Sequence, residues 1–198
     1  ASAGGLHLLV DSTGIKMIGE GEWKARKHGV SYRRQWRKVH LGIDAQTLQI
    51  RAIAVTTNEV GDSPMAAVLL GQIPSHEQVA RLTGDGAYDT KDVHEACYLR
   101  GAIPIIPPRK GAKLRKGLAF AHRNEAVKAC RQLGRAIWKR WSGYHRRSLV
   151  ETKMNCFKRL GEKVMARTFE RQVAELNIRA SILNQFTALG TPQTVAAA

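Results

Sequence analysis

The chain has 198 residues, 43% of them hydrophobic and 24% charged, the proportions of one soluble globular domain with room for a sizeable core. Charge is the anomaly: 32 Lys and Arg against 16 Asp and Glu give +16 and a pI near 10.3, which points to a polyanionic partner, with nucleic acid ahead of an anionic membrane surface. No run of about 18 apolar residues argues for a membrane span, and the opening ASAGGLHLLV lacks the basic n-region of a signal peptide. Cys97, Cys130 and Cys156 are odd in number and unclustered, and the seven His show no HxH or HxxxH spacing. Buried thiols in a reducing compartment are therefore expected, with no disulfide framework and no zinc site.

In chain order, Leu6 to Val10 is a short apolar run ending at Asp11 and Ser-Thr-Gly, which predicts a buried strand that delivers a carboxylate into a loop. Lys16 to Lys38 then carries eight basic residues and two acids, interleaved with Trp23, Tyr32 and Trp36, a mixture that suits phosphate contact plus stacking. Within it Arg33, Arg34, Arg37 and Lys38 are the candidate DNA contacts. Lys38–Asp44 and Leu48–Thr56 alternate about a turn and predict an antiparallel hairpin. A helix with Pro64 near its start and Asp62 or Ser63 as N-cap follows. Val79–Thr83 resumes strand character and runs into Gly84-Asp85-Gly86, where glycines on both sides let a carboxylate leave a strand end. A short helix over Asp92–Arg100 and a strand over Gly101–Ile106 come next.

From Arg100 through Arg147 there are fourteen Lys or Arg and one acid, Glu125. Most of these side chains must lie in water, but so one-sided a region suits an electrostatic footprint. Pro107–Gly117 reads as a mobile loop, and Asn124–Arg140 as a helix with Val127, Leu133, Ile137 and Trp138 as its apolar contacts. Tyr144–Lys158 predicts a further helix on which Tyr144, Arg147, Glu151, Asn155 and Lys158 share one sector, beside an apolar stripe of Val150, Met154 and Phe157. A long amphipathic helix over Arg167–Leu189 and a tail over 191–198 complete the chain.

Asp11, Asp85 and Glu151, brought together by the fold, would form a hard, all-oxygen site suited to Mg²⁺ or Mn²⁺. Three neighbouring carboxylates repel one another, and divalent cations would neutralise the cluster. Two such ions could activate an attacking oxygen and stabilise the leaving one at phosphorus. Asp44, Asp89, Asp92 and Glu162 read instead as turn and helix-start residues.

Four stretches carry a family likeness: VDSTG at 10–14, GEWKARKHGVSYRRQWRKVHLGID at 21–44, GDGAYDT at 84–90, and WSGYHRRSLVETKMNCFKRLG from Trp141. Together they resemble the catalytic region of DDE-type insertion-sequence transposases, specifically the insertion-sequence-five family. The last stretch spaces Tyr144, Arg147, Glu151 and Lys158 as the wider group does. The resemblance implies an α/β, ribonuclease H-like fold over 1–190: a mixed sheet of three antiparallel strands followed by parallel ones, flanked by helices, with a helical C-terminal part. It also implies that Asp11, Asp85 and Glu151 bind two Mg²⁺ (or Mn²⁺) ions and perform phosphoryl transfer. Cleavage at a transposon end would release a 3′-hydroxyl, which then attacks target DNA. Tyr144, Arg147 and Lys158 would hold phosphates near the scissile bond. The implied partners are double-stranded DNA, as terminal inverted repeats and target, and a second copy assembled on DNA as a homodimer. The implied location is cytoplasmic and nucleoid-associated. Members of the family carry a further N-terminal region that recognises terminal repeats; few residues precede Asp11, so a separate catalytic part is expected.

Two other functions share these features: a non-catalytic DNA-binding remnant of a mobile element, and a ribonuclease H-like nuclease that stops at hydrolysis. On the active-site helix the expectation is specific: Arg147 and Lys158 face outward to phosphate and do not pair with Glu151.

Overall fold

The computed structural model describes residues 4–17 and 36–190. Trp23, Tyr32, Arg33, Arg34 and the tail 191–198 lie outside the described residues. The first strand, β1 (Leu6–Met17), is longer than its apolar run, because β2 (Trp36–Asp44) pairs with it antiparallel from Leu8 opposite Asp44 to Lys16 opposite Trp36. Asp11 therefore sits inside a strand, which corrects the expectation of a loop. The hairpin partner β3 (Ile50–Thr57) pairs antiparallel with β2 as the alternation predicts. Its turn is closed by Asp44, whose carboxylate accepts from the Gln46 amide at 2.9 Å and the Thr47 hydroxyl at 2.9 Å.

Helix α1 (Ser63–Gly71) carries the chain over to β4 (Val79–Thr83), which joins β1 in parallel. Helix α2 (Lys91–Leu99) then leads to β5 (Ile103–Ile105), parallel to β4. The sheet order is β3-β2-β1-β4-β5, with a two-residue β6 (Lys163–Val164), which the sequence does not announce, paired in parallel to the far end of β1. The antiparallel start and parallel continuation match the predicted strand order.

The segment between β5 and the last helices departs from prediction in two places. The helix predicted over 124–140 is two helices, α3 (Ala121–Gln132) and α4 (Arg135–Trp141), separated at Gly134, whose φ of 87° only glycine adopts without strain. Leu133 and Ile137 flank the break and are exposed, so they contribute no core. The stretch after Pro107 is tied down along its length by hydrogen bonds from Arg123, Asn124 and Arg131. The predicted Tyr144–Lys158 helix begins as a 3-10 turn over Tyr144–Arg147 and becomes α5 only at Ser148–Arg159. Helix α6 (Phe169–Leu189) closes the fold.

Alternation along β1 sends side chains to two cores. Leu6, Leu8 and Val10 meet α1, α2 and β4 residues such as Leu69, Val93 and Leu82. On the opposite face Leu9 and Ile15 join Leu41, Val150, Phe157 and Leu176 beneath α5 and α6. Phe157 is fully buried there, worth about 2–3 kcal/mol of stabilisation. All three cysteines are free: Cys97 is buried, its thiol pushed up to about 12 by burial, and Cys130 and Cys156 are half-buried. No helix among the described residues is long and apolar enough to cross a membrane.

Two histidines are held neutral inside the sheet. Burial first, then the neighbouring Arg81 and Arg146 charges, lower His7 to about 4, while its ring shares a 2.8 Å hydrogen bond with Thr83. His40, lowered to about 4 chiefly by burial, pairs with the Thr56 hydroxyl at 3.0 Å. The unfolded chain takes up these protons near 6.5 and the folded chain only near 4. Stability is thus complete above the unfolded value and falls as pH drops through this window, by up to about 3 kcal/mol per histidine. Urea titrations across that range should show the loss, and His40→Gln should show a shallower one. A flat profile would contradict the buried neutral assignment.

Candidate active site

The parallel register of β1 and β4 sets Leu9 opposite Thr83. Two residues further along, Asp11 still lies within β1 while Asp85 follows the end of β4, so the two carboxylates come from neighbouring strands spaced about 4.8 Å apart. Asp11 shares the face of Leu9 and Ile15, which is the face that α5 covers. Asp85 caps a 3-10 turn over Gly86–Tyr88, its Oδ1 accepting from the Ala87 amide at 2.8 Å. Gly84 is obligatory just before it: a Cβ there would meet the Tyr88 ring at 2.8 Å and Val10 at 3.2 Å.

Glu151 lies in the first turn of α5, where the helix dipole favours a carboxylate. The predicted apolar stripe of Val150, Met154 and Phe157 is buried against the sheet and orients the helix. Arg147 stands at the helix entrance and corrects the sequence expectation. Its Nη1 donates to Asp11 Oδ2 at 2.6 Å and its Nη2 to Glu151 Oε1 at 2.5 Å. One guanidinium thus bridges two of the three carboxylates. It does so because the 3-10 turn brings Arg147 beside β1, and because acids of one charge gathered there require a counter-charge. Glu151 itself is 53% exposed, held near Asp11 through Arg147 and not by direct packing.

Electrostatics follow this arrangement. Burial raises Asp11 above its ordinary value; the Ser12 amide, at 2.8 Å from Oδ1, and Arg147 oppose that, while Asp85 and Glu151 add to it. Burial pulls Arg147 down, but Asp11, Tyr144, Glu151 and Asp85 together hold it above its usual value. The donor set, all carboxylate oxygen on two adjoining strands and a helix, has the hardness that a divalent cation requires. Arg147 supplies the positive charge between Asp11 and Glu151 in this structure. With a guanidinium's width between those two acids, no three His, Cys, Asp or Glu among the described residues stand close enough to hold a metal ion as a set.

Asp62 is a residue the sequence reading missed. Taken there as a helix cap, it makes no capping hydrogen bond. Its carboxylate instead pairs with Lys38 Nζ at 2.8 Å; burial raises it, but Lys38 together with the nearby Ser12 side chain outweighs burial and lowers it. Ser12 lies opposite His40 on the sheet, two residues from Lys38, so this second acid is assembled by strand register, for which the sequence holds no spacing signal. Tyr88, fully buried, stands between: burial first, then Asp62, Asp11 and Asp85, push its hydroxyl up, so it stays protonated. Asp89, read as a helix-start residue, is buried and paired with Arg123 at 2.7 Å and His94 at 3.0 Å.

The predicted DNA contacts have separate fates. Tyr144 is half-buried against Trp138, ring centroids 6.0 Å apart, beside Arg147. Lys158 lines a cleft with Gly14, Lys16, Asn155, Arg159 and Glu162, which none of the three acids enters. Arg37 donates to Gln172 at 2.6 Å and stacks over Phe169, and Lys38 is engaged by Asp62 and the Val60 carbonyl. Arg33 and Arg34 lie outside the described residues.

Residues 2–185 match the family described as "Transposase DDE domain". Among solved structures, a piggyBac transposase in a synaptic complex with hairpin DNA is similar at 9% identity and a TM-score of 0.32, over 96% of this chain and 55% of that one. The chain therefore spans little more than half the length of that transposase, and a likeness so slight carries no argument about fold.

The bridge at Arg147 is measurable without any substrate. A double-mutant cycle of Arg147→Ala with Asp11→Asn, read by urea unfolding at neutral pH, should give a coupling of about 1–3 kcal/mol. Strict additivity would show that the pair does not form in solution.

Proposed function

The chain belongs to the family of transposase DDE domains, and from that premise we propose that it cleaves DNA at transposon ends and transfers the 3′-hydroxyl so released into target DNA. The observation that carries this reading is the placement of Asp11 in β1 beside the end of β4, from which the chain runs to Asp85, with Glu151 joined to Asp11 through Arg147. We further assign the chain to the insertion-sequence-five group, on the stretches at 10–14, 21–44, 84–90 and from Trp141 taken together. The sheet order β3-β2-β1-β4-β5 with helices on both faces supports a ribonuclease H-like fold.

DDE domains generally use divalent metals, and in this reading Asp11, Asp85 and Glu151 hold two Mg²⁺ or Mn²⁺ ions. When bound, such ions polarise the phosphodiester and activate the attacking oxygen. The chain's own residues do the positioning. A phosphate entering the site competes with Asp11 and Glu151 for the Arg147 fork; the exchange frees both carboxylates and gives the phosphate two charge-assisted hydrogen bonds. Tyr144 lies beside Arg147, and Lys158, two helical turns beyond Glu151, meets the backbone further along. Arg33 and Arg34 are DNA contacts in the same reading, and Arg37 and Lys38 become so by exchanging Gln172 and Asp62 for phosphate. The partners are terminal-repeat and target duplexes, and a second copy of the chain assembled on them.

A strand-transfer assay with a precut transposon end and Mg²⁺ tests the proposal. Product joined to target is expected; nicks alone would mean a hydrolytic nuclease, and binding without either a non-catalytic DNA binder. Glu151→Gln and Asp85→Asn should each lower joining by on the order of 10²–10³-fold, and chelation should abolish it. Joining that survives in Glu151→Gln would remove Glu151 from the site.

A further inference from the structure

The loop that follows β5 is the most basic short stretch outside the site: Arg109, Lys110, Lys113, Arg115 and Lys116 within eight residues and no acid. A mobile tether of that composition would be unremarkable. This one is built. Buried Asp89 accepts from the Arg109 amide at 3.0 Å and holds Arg123, whose Nη1 donates to the Lys113 carbonyl at 2.8 Å. Asn124 clamps both sides of Arg115, accepting from its amide at 2.9 Å and donating to its carbonyl at 2.7 Å. Arg131 donates to the Ala112 carbonyl at 2.7 Å, and Arg135 to that of Pro108. Four arginine and asparagine side chains of α3 and α4 thus fix the loop backbone from beneath.

Two consequences follow for the outer surface. The inward bonds use the loop's carbonyls, and Lys110, Lys113 and Lys116 are left exposed, with no carboxylate paired to them among the described residues. The loop is also attached directly to the active site: Arg109 donates to the Gly86 and Ala87 carbonyls at 3.3 and 3.1 Å, the two residues after Asp85. A buried ion pair such as Asp89–Arg123 costs desolvation and is weak as a source of stability. What it secures here is the position of three free ammonium groups relative to Asp85.

We propose that residues 109–116 form a preordered platform for backbone phosphates of duplex DNA immediately beside the scissile bond, contacted by Lys110, Lys113 and Lys116. The inference rests on the transposase reading and adds a contact surface to it. Leu114 and Leu118, exposed at 49% and 76%, would also suit a lipid surface. DNA is favoured because the platform is anchored to the turn that carries Asp85, and lysines rooted in an ordered backbone suit the regular charge of a duplex.

The test uses the whole chain and a duplex carrying a transposon end. Each phosphate contact contributes about 0.9 to the slope of log K against log salt, so the Lys110→Gln, Lys113→Gln, Lys116→Gln triple variant should reduce that slope by about 2.7. Its thermal midpoint should stay unchanged, since the three side chains are exposed. A photocrosslinker at Lys113→Cys should label nucleotides flanking the cleavage position. An unchanged slope, or labelling confined to distant nucleotides, overturns the proposal while leaving the transposase reading intact. Loss of binding to anionic phospholipid vesicles, with DNA binding unaltered, would overturn it in favour of a lipid surface. A wild-type chain that binds no duplex at all would remove the transposase reading itself.

Discussion

Parallel pairing of β1 with β4 brings two aspartates, Asp11 and Asp85, into electrostatic reach of each other, and the remainder of the site is arranged around the charge this creates. Carboxylates on adjoining strands, one of them partly desolvated, repel. The register that produces the repulsion is not negotiable, because Leu8 and Leu9 in β1 and Leu82 in β4 are all fully buried. A one-residue slip would exchange the two cores and turn Asp11 away from α5. The protein therefore keeps the register and supplies the counter-charge from another element.

That counter-charge is Arg147. A 3-10 turn delivers it to the entrance of α5 just where Val150, Met154 and Phe157 dock the helix on the sheet. The apolar stripe and the guanidinium thus answer different needs at one junction, packing and charge balance. A planar fork can hold Asp11 and Glu151 simultaneously, which a lysine ammonium at the same position could do only as a point charge. The fork geometry that holds these two carboxylates is equally suited to phosphate.

Basic charge in this chain is sorted by burial. Arg123 and Arg179 are buried and donate to carbonyls and to single acids, Asp89 and Glu175. Lys110, Lys113 and Lys116 remain exposed. Arginine's multiple donors suit it to the interior role, where one side chain satisfies several backbone groups at once. The net charge of +16 is consequently divided between cations that hold the fold and cations that face solvent.

Much was legible in the sequence, because it depended on local rules. Alternation marked β2 and β3, glycines flanking Asp85 marked a strand exit, and the spacing of Val150, Met154 and Phe157 marked the buried face of α5. The family spacing identified Asp11, Asp85 and Glu151 as the acids of interest. Tertiary structure alone decided how those acids are paired. It set Arg147 between Asp11 and Glu151, turned the carboxylate of the N-cap residue Asp62 to Lys38, and made Asp89 the buried anchor of a loop that composition had marked as mobile. The physical reason is common to all three: an ion pair between residues far apart in sequence is set by strand register and helix docking, and neither leaves a periodic trace in the residues that make it.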